Sequence, residues 1–505
     1  MFEKITPEQA GIRSSAVARY LRYLDDNALC THALLLMKGG KLFTEAYWKP
    51  FHRDFCHRQY SQTKSFVGIA VGLLVSDGKL SLDDRIADLF AEKIDDISLV
   101  PDNLRRQTVR QMLTMCTAGD EVWWFRSEDP DRTHLYFNGR NTARIPGALW
   151  RYDSAGSQVL SSLVEKITGM ELLDFLHQRL FDHMGTFRTA SMLKTPNGDT
   201  WGDSAMLCTA RDMASFAQLL MHGGRWQGKQ LVDEAYVREA TSAIVDNSEE
   251  HFARVFGHGY GYQIWQAPRG GFAFVGMGGQ ITVVLPEQEL VLVTNGDTQG
   301  NPAAYDLIVN GFLTLIADEM ADAPLPEHPQ AYEKLETQIS GLELFALRGK
   351  AESPLRDQIH GRVYRCIPNR LGMTQFSFEF RDDHGIFRYI NGQGDKALPF
   401  GINKNVFGKF PQLGYSDEVG RERTTDGFMY DDAVSLRFTQ NNKLQLRVQI
   451  IDRYFGNFLA TFAFSGDEAA CKFSATAENF LQEYNGEFTA YCTNTESSAH
   501  HDHMT

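Results

Sequence analysis

The sequence predicts an α+β fold in which helices flank an antiparallel sheet and a second, β-rich domain follows. Three observations support this prediction. Residues 33–47 form two strand-like runs around a Gly-Gly turn, which is typical of a tight hairpin. Apolar residues recur at helical spacing between residues 61 and 223. After residue 255 the pattern changes to that of strands, so the sheet is expected to form from both ends of this region, with the middle helices covering it.

Three helices and four late strands carry this prediction. The helix expected over Ser61–Asp77 is apolar nearly all round, which indicates an interior position. Helices are also expected over Ala155–Thr168, which Gly169 ends, and over Thr209–Gly223, which begins with a capping-box pair at Thr209 and Asp212. The late strands are expected at Tyr260–Ala267, Gly271–Val275, Ile281–Leu285 and Leu290–Asn295.

The chain is long enough for two to four structural units. We expect a first domain over residues 1–320 and a proline-containing linker over 321–344. A β-rich accessory domain is then expected over 345–490, where aromatic residues and strand-like alternation are frequent. The polar residues 491–505 are expected to be a disordered tail.

Composition restricts the classes of partner. The 505 residues are 43% apolar and 23% charged, as in soluble globular proteins, and the net charge is −14. This charge argues against nucleic acid or an anionic membrane as the main partner, since both require basic surfaces. No signal-peptide pattern or membrane-length apolar run is present, and the seven cysteines form no CxxC pair. A cytoplasmic protein with free thiols is therefore expected.

The residue pair with the clearest chemistry is Ser61 and Lys64, which share one face at the start of the apolar helix. A serine hydroxyl is a poor nucleophile unless a neighbour accepts its proton. A buried lysine can do so, because an apolar environment favours its neutral amine. The first backbone N–H groups of the helix are also free to stabilise developing negative charge.

The surrounding sequence resembles the penicillin-recognising serine hydrolases: class C β-lactamases, DD-peptidases, related esterases and 6-aminohexanoate-dimer hydrolases. S-x-x-K is a signature of β-lactamases and penicillin-binding proteins. Further motifs of that family recur in the same order over about residues 5–315. They are the run YSQTKSFVGIAVGLLVSDGKLSLDDRI, Val109–Gly119, Trp150–Gly156, Cys208–Ala214, Gly259–Tyr262 and Gly276–Gln280.

This resemblance implies a β-lactamase/transpeptidase-like fold and a role for each matching residue. Ser61 would be the acylated nucleophile, while Lys64 and Tyr152 would form a coupled proton-transfer pair. The resemblance also implies an oxyanion hole from the N–H groups of Ser61 and Met277, or Gly278 one register later. Gly276 and Gly278 would let this strand approach the reacting carbonyl.

Two departures from the family pattern affect the expected substrate. Ser154 stands where the Y-x-N motif has asparagine, and its shorter side chain could still bond Lys64 or a substrate carbonyl. The segment Phe272–Gly278 has neither the lysine nor the histidine of the third motif, which usually helps to bind a substrate carboxylate. The resemblance therefore implies an esterase or amidase acting on a small-molecule or short peptide-like substrate, more than a true β-lactamase.

Other features allow alternatives. Trp123, Trp124 and Phe125, with Tyr136 and Phe137 nearby, could form an aromatic wall of the acyl pocket or a small core under a long loop. No zinc-type spacing or other metal or cofactor motif is found. A catalytically weak or inactive binding protein on the same scaffold is the competing interpretation, and a homo-oligomer is left open.

Overall fold

The computed structural model describes residues 2–119, 127–139, 144–249, 253–350, 352–414, 429–477 and 481–493. The chain divides into two compact units, with the boundary between Leu344 and Phe345. None of the helices in these described ranges is long and apolar enough to cross a membrane.

The first unit contains most of the helices. They are α1 (Ser14–Asp26), α2 (Thr63–Ser76), α3 (Ile86–Leu89), α4 (Asp102–Arg105), α5 (Val109–Leu113), α6 (Arg132–Asn138), α7 (Ser154–Thr168), α8 (Leu172–Leu176), α9 (Asp182–Met184), α10 (Ala210–Met221), α11 (Glu234–Ala240), α12 (Ala304–Phe312) and α13 (Pro329–Ser340). Its strands are β1 (Thr31–Lys38), β2 (Lys41–Tyr47), β3 (His57–Arg58), β4 (Ser191–Met192), β5 (Met206–Cys208), β6 (Arg225–Trp226), β7 (Lys229–Gln230), β8 (Trp265–Ala267), β9 (Gly271–Gly276), β10 (Gln280–Leu285) and β11 (Leu290–Gly296).

The main sheet of this unit joins the two ends of the region, as the strand pattern predicts. Its order is β2-β1-β11-β10-β9-β8, and all of its pairs are antiparallel. Alternate residues of β1 enter two different cores, because successive strand side chains point to opposite faces. Leu35 and Met37 pack on the side of α2, α7 and α10. Leu34 and Leu36 pack on the side of α1 and α12.

Helix α2 lies inside the unit, as its uniformly apolar sequence predicts. Residues Thr63–Leu74 are all buried, including the polar Thr63, Lys64 and Ser65. Buried polar side chains need partners. The beginning of α2 is therefore one place in this core where specific hydrogen bonds are required.

Two local predictions differ from the structure in the first unit. The strand expected over Tyr260–Ala267 is confined to Trp265–Ala267, because the chain turns at Gln263, whose φ is +60°. The segment expected as a linker, 321–344, contains α13, which Pro329 opens and whose Leu335 is buried. A proline in the first turn of a helix loses no intrahelical hydrogen bond, so three prolines here did not exclude a helix.

The second unit is β-rich, as predicted. It contains α14 (Leu355–Ile359), β12 (Val363–Cys366), β13 (Gln375–Arg381), β14 (His384–Asn391), β15 (Gly394–Ile402), β16 (Val406–Leu413), β17 (Met429–Gln440), β18 (Lys443–Ile451), β19 (Phe455–Ser465), β20 (Glu468–Ala477) and β21 (Gly486–Cys492). β21 continues to Cys492, two residues into the segment expected as tail.

The ten strands in the described part of this unit form one closed sheet. Its order is β15-β14-β13-β12-β21-β20-β19-β18-β17-β16, and a short parallel pairing of β15 with β17 closes it. Alternate residues point inward, so Phe376, Phe378 and Phe380 of β13 are buried. The aromatic richness of the sequence thus fills the interior of this sheet.

Candidate active site

Ser61 lies on a short 3₁₀ turn, Tyr60–Gln62, directly before α2. Tyr60 has a φ of +47°, which is uncommon for a residue with a side chain. Its ring lies under the buried Arg58 guanidinium at 4.4 Å, and its carbonyl accepts a 2.6 Å hydrogen bond from Thr63 Oγ1. These contacts hold a strained turn in place, so Ser61 is presented half-buried at the mouth of the helix.

Lys64 lies one turn along α2 and is 1% exposed. Its Nζ donates a 2.9 Å hydrogen bond to Ser61 Oγ and a 2.8 Å hydrogen bond to the main-chain carbonyl of Asp203. The Asp203 carboxylate Oδ2 lies 3.7 Å from the same nitrogen. The hydroxyl and the amine are thus within direct proton-transfer distance.

Tyr152 lies immediately before the cap of α7, with its ring centroid 5.0 Å from Lys64 Nζ. The ring stacks on Trp265 at 5.8 Å and 24°, and Trp150 lies 6.4 Å away. Asp153 caps α7 by accepting from the N–H of Gly156 at 3.0 Å. It also accepts a 2.7 Å hydrogen bond from Thr117 Oγ1. The helix cap thereby fixes the backbone that carries Tyr152, and the structure brings Ser61, Lys64 and Tyr152 together.

Ser154 is the first residue of α7 and is half-buried. Within the described parts of the chain, its hydroxyl makes no hydrogen bond, so of the two partners that the sequence allows, Lys64 and a substrate carbonyl, Lys64 is not bonded. Lys64 is satisfied instead by Ser61 and by the carbonyl of Asp203.

The end of β9 reaches the nucleophile turn, as the glycines predict. A Cβ atom added to Gly276 would lie 2.2 Å from the Gln59 carbonyl oxygen and 3.2 Å from the Ser61 nitrogen. Met277 follows at once, and Gly278 turns the chain with a φ of +85°. Only glycine permits the approach at position 276, so the main chain of residues 276–278 lies beside the Ser61 N–H.

Side-chain amides connect this turn to the sheet. Gln62 Nε2 donates to Gln59 Oε1 at 2.9 Å, and Asn295 Nδ2 of β11 donates to the same oxygen at 3.1 Å. Thr282 Oγ1 of β10 donates to Gln62 Oε1 at 2.7 Å. In addition, Gln280 Nε2 donates to the Met277 carbonyl at 2.7 Å. This buried network, which sequence reasoning missed, fixes the distance between the nucleophile turn and the 276–278 segment.

Gln263 is a second positioning residue that the sequence did not reveal. Its Nε2 donates to the carbonyls of Met112 and Leu113 at 3.1 and 3.0 Å, and its Oε1 accepts from Ser157 at 2.6 Å. Its main-chain carbonyl accepts from Ser65 Oγ at 2.8 Å. One residue therefore connects α2, α5 and α7, the last of which carries Tyr152. The positive φ of Gln263 is a property of the fold, so no sequence pattern around it indicates this turn.

Asp203 is another residue that sequence reasoning missed. It is 3% exposed, and burial raises the pKa of its carboxyl group although the charges of Lys64, Arg132 and Arg58 oppose that rise. Both arginines lie over the Trp201 ring, each 4.6 Å from its centroid. No motif surrounds Asp203 in the sequence, so only the fold identifies it.

The aromatic residues near the site divide into two groups. Tyr136 and Phe137 are buried in the helical core, where Gln107 Nε2 donates to Tyr136 Oη at 2.8 Å, so these two form the small core rather than a pocket wall. Trp123, Trp124 and Phe125 lie outside the described residues. Within the described ranges, no group of histidine, cysteine and carboxylate side chains could hold a metal ion.

Comparison with known proteins agrees with this geometry. The model of the family described as Beta-lactamase matches residues 18–310, more than half of the chain. The chain belongs to the Beta-lactamase family. That membership confirms the resemblance and the fold expected from it, with a β-rich domain added at the C-terminal side.

Individual relatives are distant. The chain is 25% identical over 308 residues to the 6-aminohexanoate-dimer hydrolase of Paenarthrobacter ureafaciens, covering 57% of this chain and 78% of that protein. It is 22% identical over 321 residues to an uncharacterized protein of Alkalihalophilus pseudofirmus, covering 55% and 87%. A solved structure named "Putative 6-aminohexanoate-dimer hydrolase from Bacillus anthracis" matches with a TM-score of 0.51 and 20% identity, covering 65% and 89%. The family and the relative from Paenarthrobacter ureafaciens indicate a hydrolase of the Beta-lactamase fold.

Proposed function

We propose that this Beta-lactamase family member is a serine hydrolase that cleaves an ester or amide bond through an acyl-enzyme on Ser61. The observation that carries the proposal is the 2.9 Å hydrogen bond between Lys64 Nζ and Ser61 Oγ, with Tyr152 beside the same amine. A binding protein has no need of a buried amine directed at a half-exposed hydroxyl. Burial of Lys64 also costs free energy that a merely structural residue would not require.

The reaction follows from the positions of these groups. Ser61 Oγ attacks the substrate carbonyl carbon while its proton passes to the neutral Lys64 amine, directly or through the Tyr152 hydroxyl. The N–H groups of Ser61 and Met277 donate to the oxyanion that forms. When the tetrahedral intermediate collapses, the bond to the leaving group breaks and that group takes the proton. Water then repeats the sequence, releasing the acid and restoring the Ser61 hydroxyl.

The substrate is proposed to be a small or short peptide-like ester or amide rather than a penicillin or cephalosporin. The segment Gly271–Met277 supplies backbone and apolar side chains but no cation to pair with a substrate carboxylate. The half-buried ring of Tyr152, which stacks on the buried Trp265, adds an aromatic face that suits apolar or planar groups.

A fluorophosphonate probe tests the nucleophile. The wild type is expected to gain one covalent adduct, which peptide mapping places on the Ser61 peptide. Ser61→Ala is expected to lose both labelling and turnover, and Lys64→Ala to lose about 10²–10⁴-fold in turnover. Ser76→Ala, at the far end of the same helix, is the matched control and is expected to retain both.

A panel of p-nitrophenyl esters, D-amino-acid amides and nitrocefin ranks the substrate classes. Faster turnover of the esters or amides than of nitrocefin is expected. Labelling that persists in Ser61→Ala would place the nucleophile elsewhere. No turnover over the whole panel together with no labelling would instead favour a binding protein, the interpretation supported by Ser154 and the missing cation.

A further inference from the structure

The Lys64 amine contacts two different groups of one residue, Asp203. The main-chain carbonyl of Asp203 accepts a 2.8 Å hydrogen bond from Lys64 Nζ, and its carboxylate Oδ2 lies 3.7 Å from that atom. The side chains of both residues are almost completely buried, at 2% and 5% exposure. At this distance and burial the carboxylate acts strongly on any positive charge that forms on the amine, since solvent screens buried charges little.

The segment that carries Asp203 is itself firmly held. Gly202 N donates to Gln158 Oε1 of α7 at 3.0 Å, and Gln158 Nε2 donates to the Thr200 carbonyl at 2.9 Å. On the other side, Arg58 Nε donates to the Ser204 carbonyl at 3.0 Å. Asp203 therefore has little freedom to move away from Lys64, and α7 positions both Asp203 and Tyr152.

The charges around the carboxylate come from three elements. Lys64 of α2, Arg132 of α6 and Arg58 of β3 each interact favourably with the ionised Asp203. Tyr152 also faces the Lys64 amine, with its ring centroid 5.0 Å from Nζ. One carboxylate thus lies among two guanidinium groups and the Lys64 amine, and its removal would leave the positive charge that forms on that amine uncompensated beside the nucleophile.

We propose that Asp203 is a positioning residue that holds Lys64 against Ser61 and stabilises the ammonium that forms when Lys64 takes the serine proton. The inference rests on the proposed function, since it concerns the same proton transfer. In that step the Ser61 O–H bond breaks, the new N–H bond forms on Lys64, and the Asp203 carboxylate balances the resulting charge without itself gaining a proton. The carbonyl of Asp203 keeps the amine on line with Ser61 Oγ throughout.

Asp203→Asn tests this role, because it keeps the main-chain carbonyl and the shape but removes the charge. Loss of the carboxylate disfavours the ammonium form of Lys64, so the amine persists to lower pH. The acid limb of kcat/KM is expected to move down by at least about one pH unit. The value of kcat/KM on the plateau of its pH profile is expected to fall by about 10–100-fold, since the ammonium formed in the reaction loses its counterion.

Two further variants separate charge from shape. Asp203→Glu retains the charge, so its acid limb is expected to stay near that of the wild type while its plateau falls. Arg132→Gln removes a cation from the cluster, so its acid limb is expected to move up, and this second test does not depend on Asp203→Asn folding. Asp246→Asn, an exposed aspartate, is the control and is expected to match the wild type.

The outcomes are distinguishable from failure of the proposed function. Ser61 labelling of the wild type tests that function alone. If Ser61 is labelled but the Asp203→Asn plateau falls with no movement of its acid limb, Asp203 is only structural and the inference is overturned. An acid limb that moves down in Arg132→Gln would overturn it as well.

Discussion

The close approach of β9 to the nucleophile makes position 276 unusually sensitive to a single methyl group. In Gly276→Ala the new Cβ would lie 2.2 Å from the Gln59 carbonyl oxygen, whereas ordinary contacts begin at 3.4 Å. The strand end or the Tyr60–Gln62 turn must therefore move by about 1 Å. The amide network through Gln62 and Thr282 resists that movement, because its donors and acceptors are buried.

A displacement of this size separates the Met277 N–H from the oxyanion position. Misplacement of reacting groups by about 1 Å costs on the order of 10²-fold in rate. We therefore expect kcat/KM of Gly276→Ala, measured with the best ester of the panel, to fall by about 100-fold, or about 2.7 kcal/mol. Overpacking should also lower the free energy of unfolding by about 1–3 kcal/mol.

Gly271→Ala provides the matched control on the same strand. Its Cβ would meet the Val284 carbonyl oxygen at 2.6 Å, a comparable clash, but it lies about 17 Å along β9 from position 276. Gly271→Ala is expected to lose similar stability in urea unfolding and to keep the wild-type kcat/KM. Equal activity in the two alanine variants would refute the reasoning that residues 276–278 approach the reacting carbonyl.

Two other predictions concern stability. Gln263→Leu leaves the Met112 and Leu113 carbonyls without their side-chain donor and removes the shorter of the two hydrogen bonds of Ser157 Oγ. We expect the free energy of unfolding in urea to fall by about 2–4 kcal/mol and turnover to be reduced. Full activity would exclude a positioning role for Gln263. In the second unit, burial raises the pKa of Asp432 to about 7. The folded state therefore holds a proton that the unfolded state releases. As a result, the free energy of unfolding falls as pH rises from about 4 through 7. Calorimetry should show that the free energy of unfolding of the wild type is about 3 kcal/mol lower at pH 8 than at pH 5, a difference that Asp432→Asn lacks. The same difference in the variant would contradict this assignment.

The elements that the sequence predicted well are those with a strong local pattern. α2 is apolar on every side, α10 begins with the Thr209 capping box, and β10 and β11 are short apolar runs joined by a turn. The proximity of Ser61 and Lys64 was predictable for the same reason, since two residues that are three positions apart in a helix lie on one face. Their roles remain a prediction until the nucleophile is labelled.

The parts that could not be predicted depend on contacts between distant segments. Asp203 is one of 64 acidic residues, and only folding brings it to Lys64. The apolar alternation at Tyr260, Tyr262 and Ile264 favours a strand, yet the tertiary contacts of Gln263 impose a turn. Similarly, Ser154 has a hydroxyl suited to bonding Lys64, but the structure supplies that partner from the Asp203 main chain.

The pairing of β1 with β11 has a consequence for how the protein is made. A ribosome adds about 5–20 residues per second, so roughly 10–40 s pass between the synthesis of Ser61 and that of Met277. In the later part of this interval, once Tyr152 has been added, the emerging polypeptide contains Ser61, Lys64 and Tyr152, but strands β9 to β11 of the main sheet are not yet complete. The nascent chain therefore cannot assemble the proposed oxyanion site, and a reactive serine would appear only after residue 296 has left the exit tunnel.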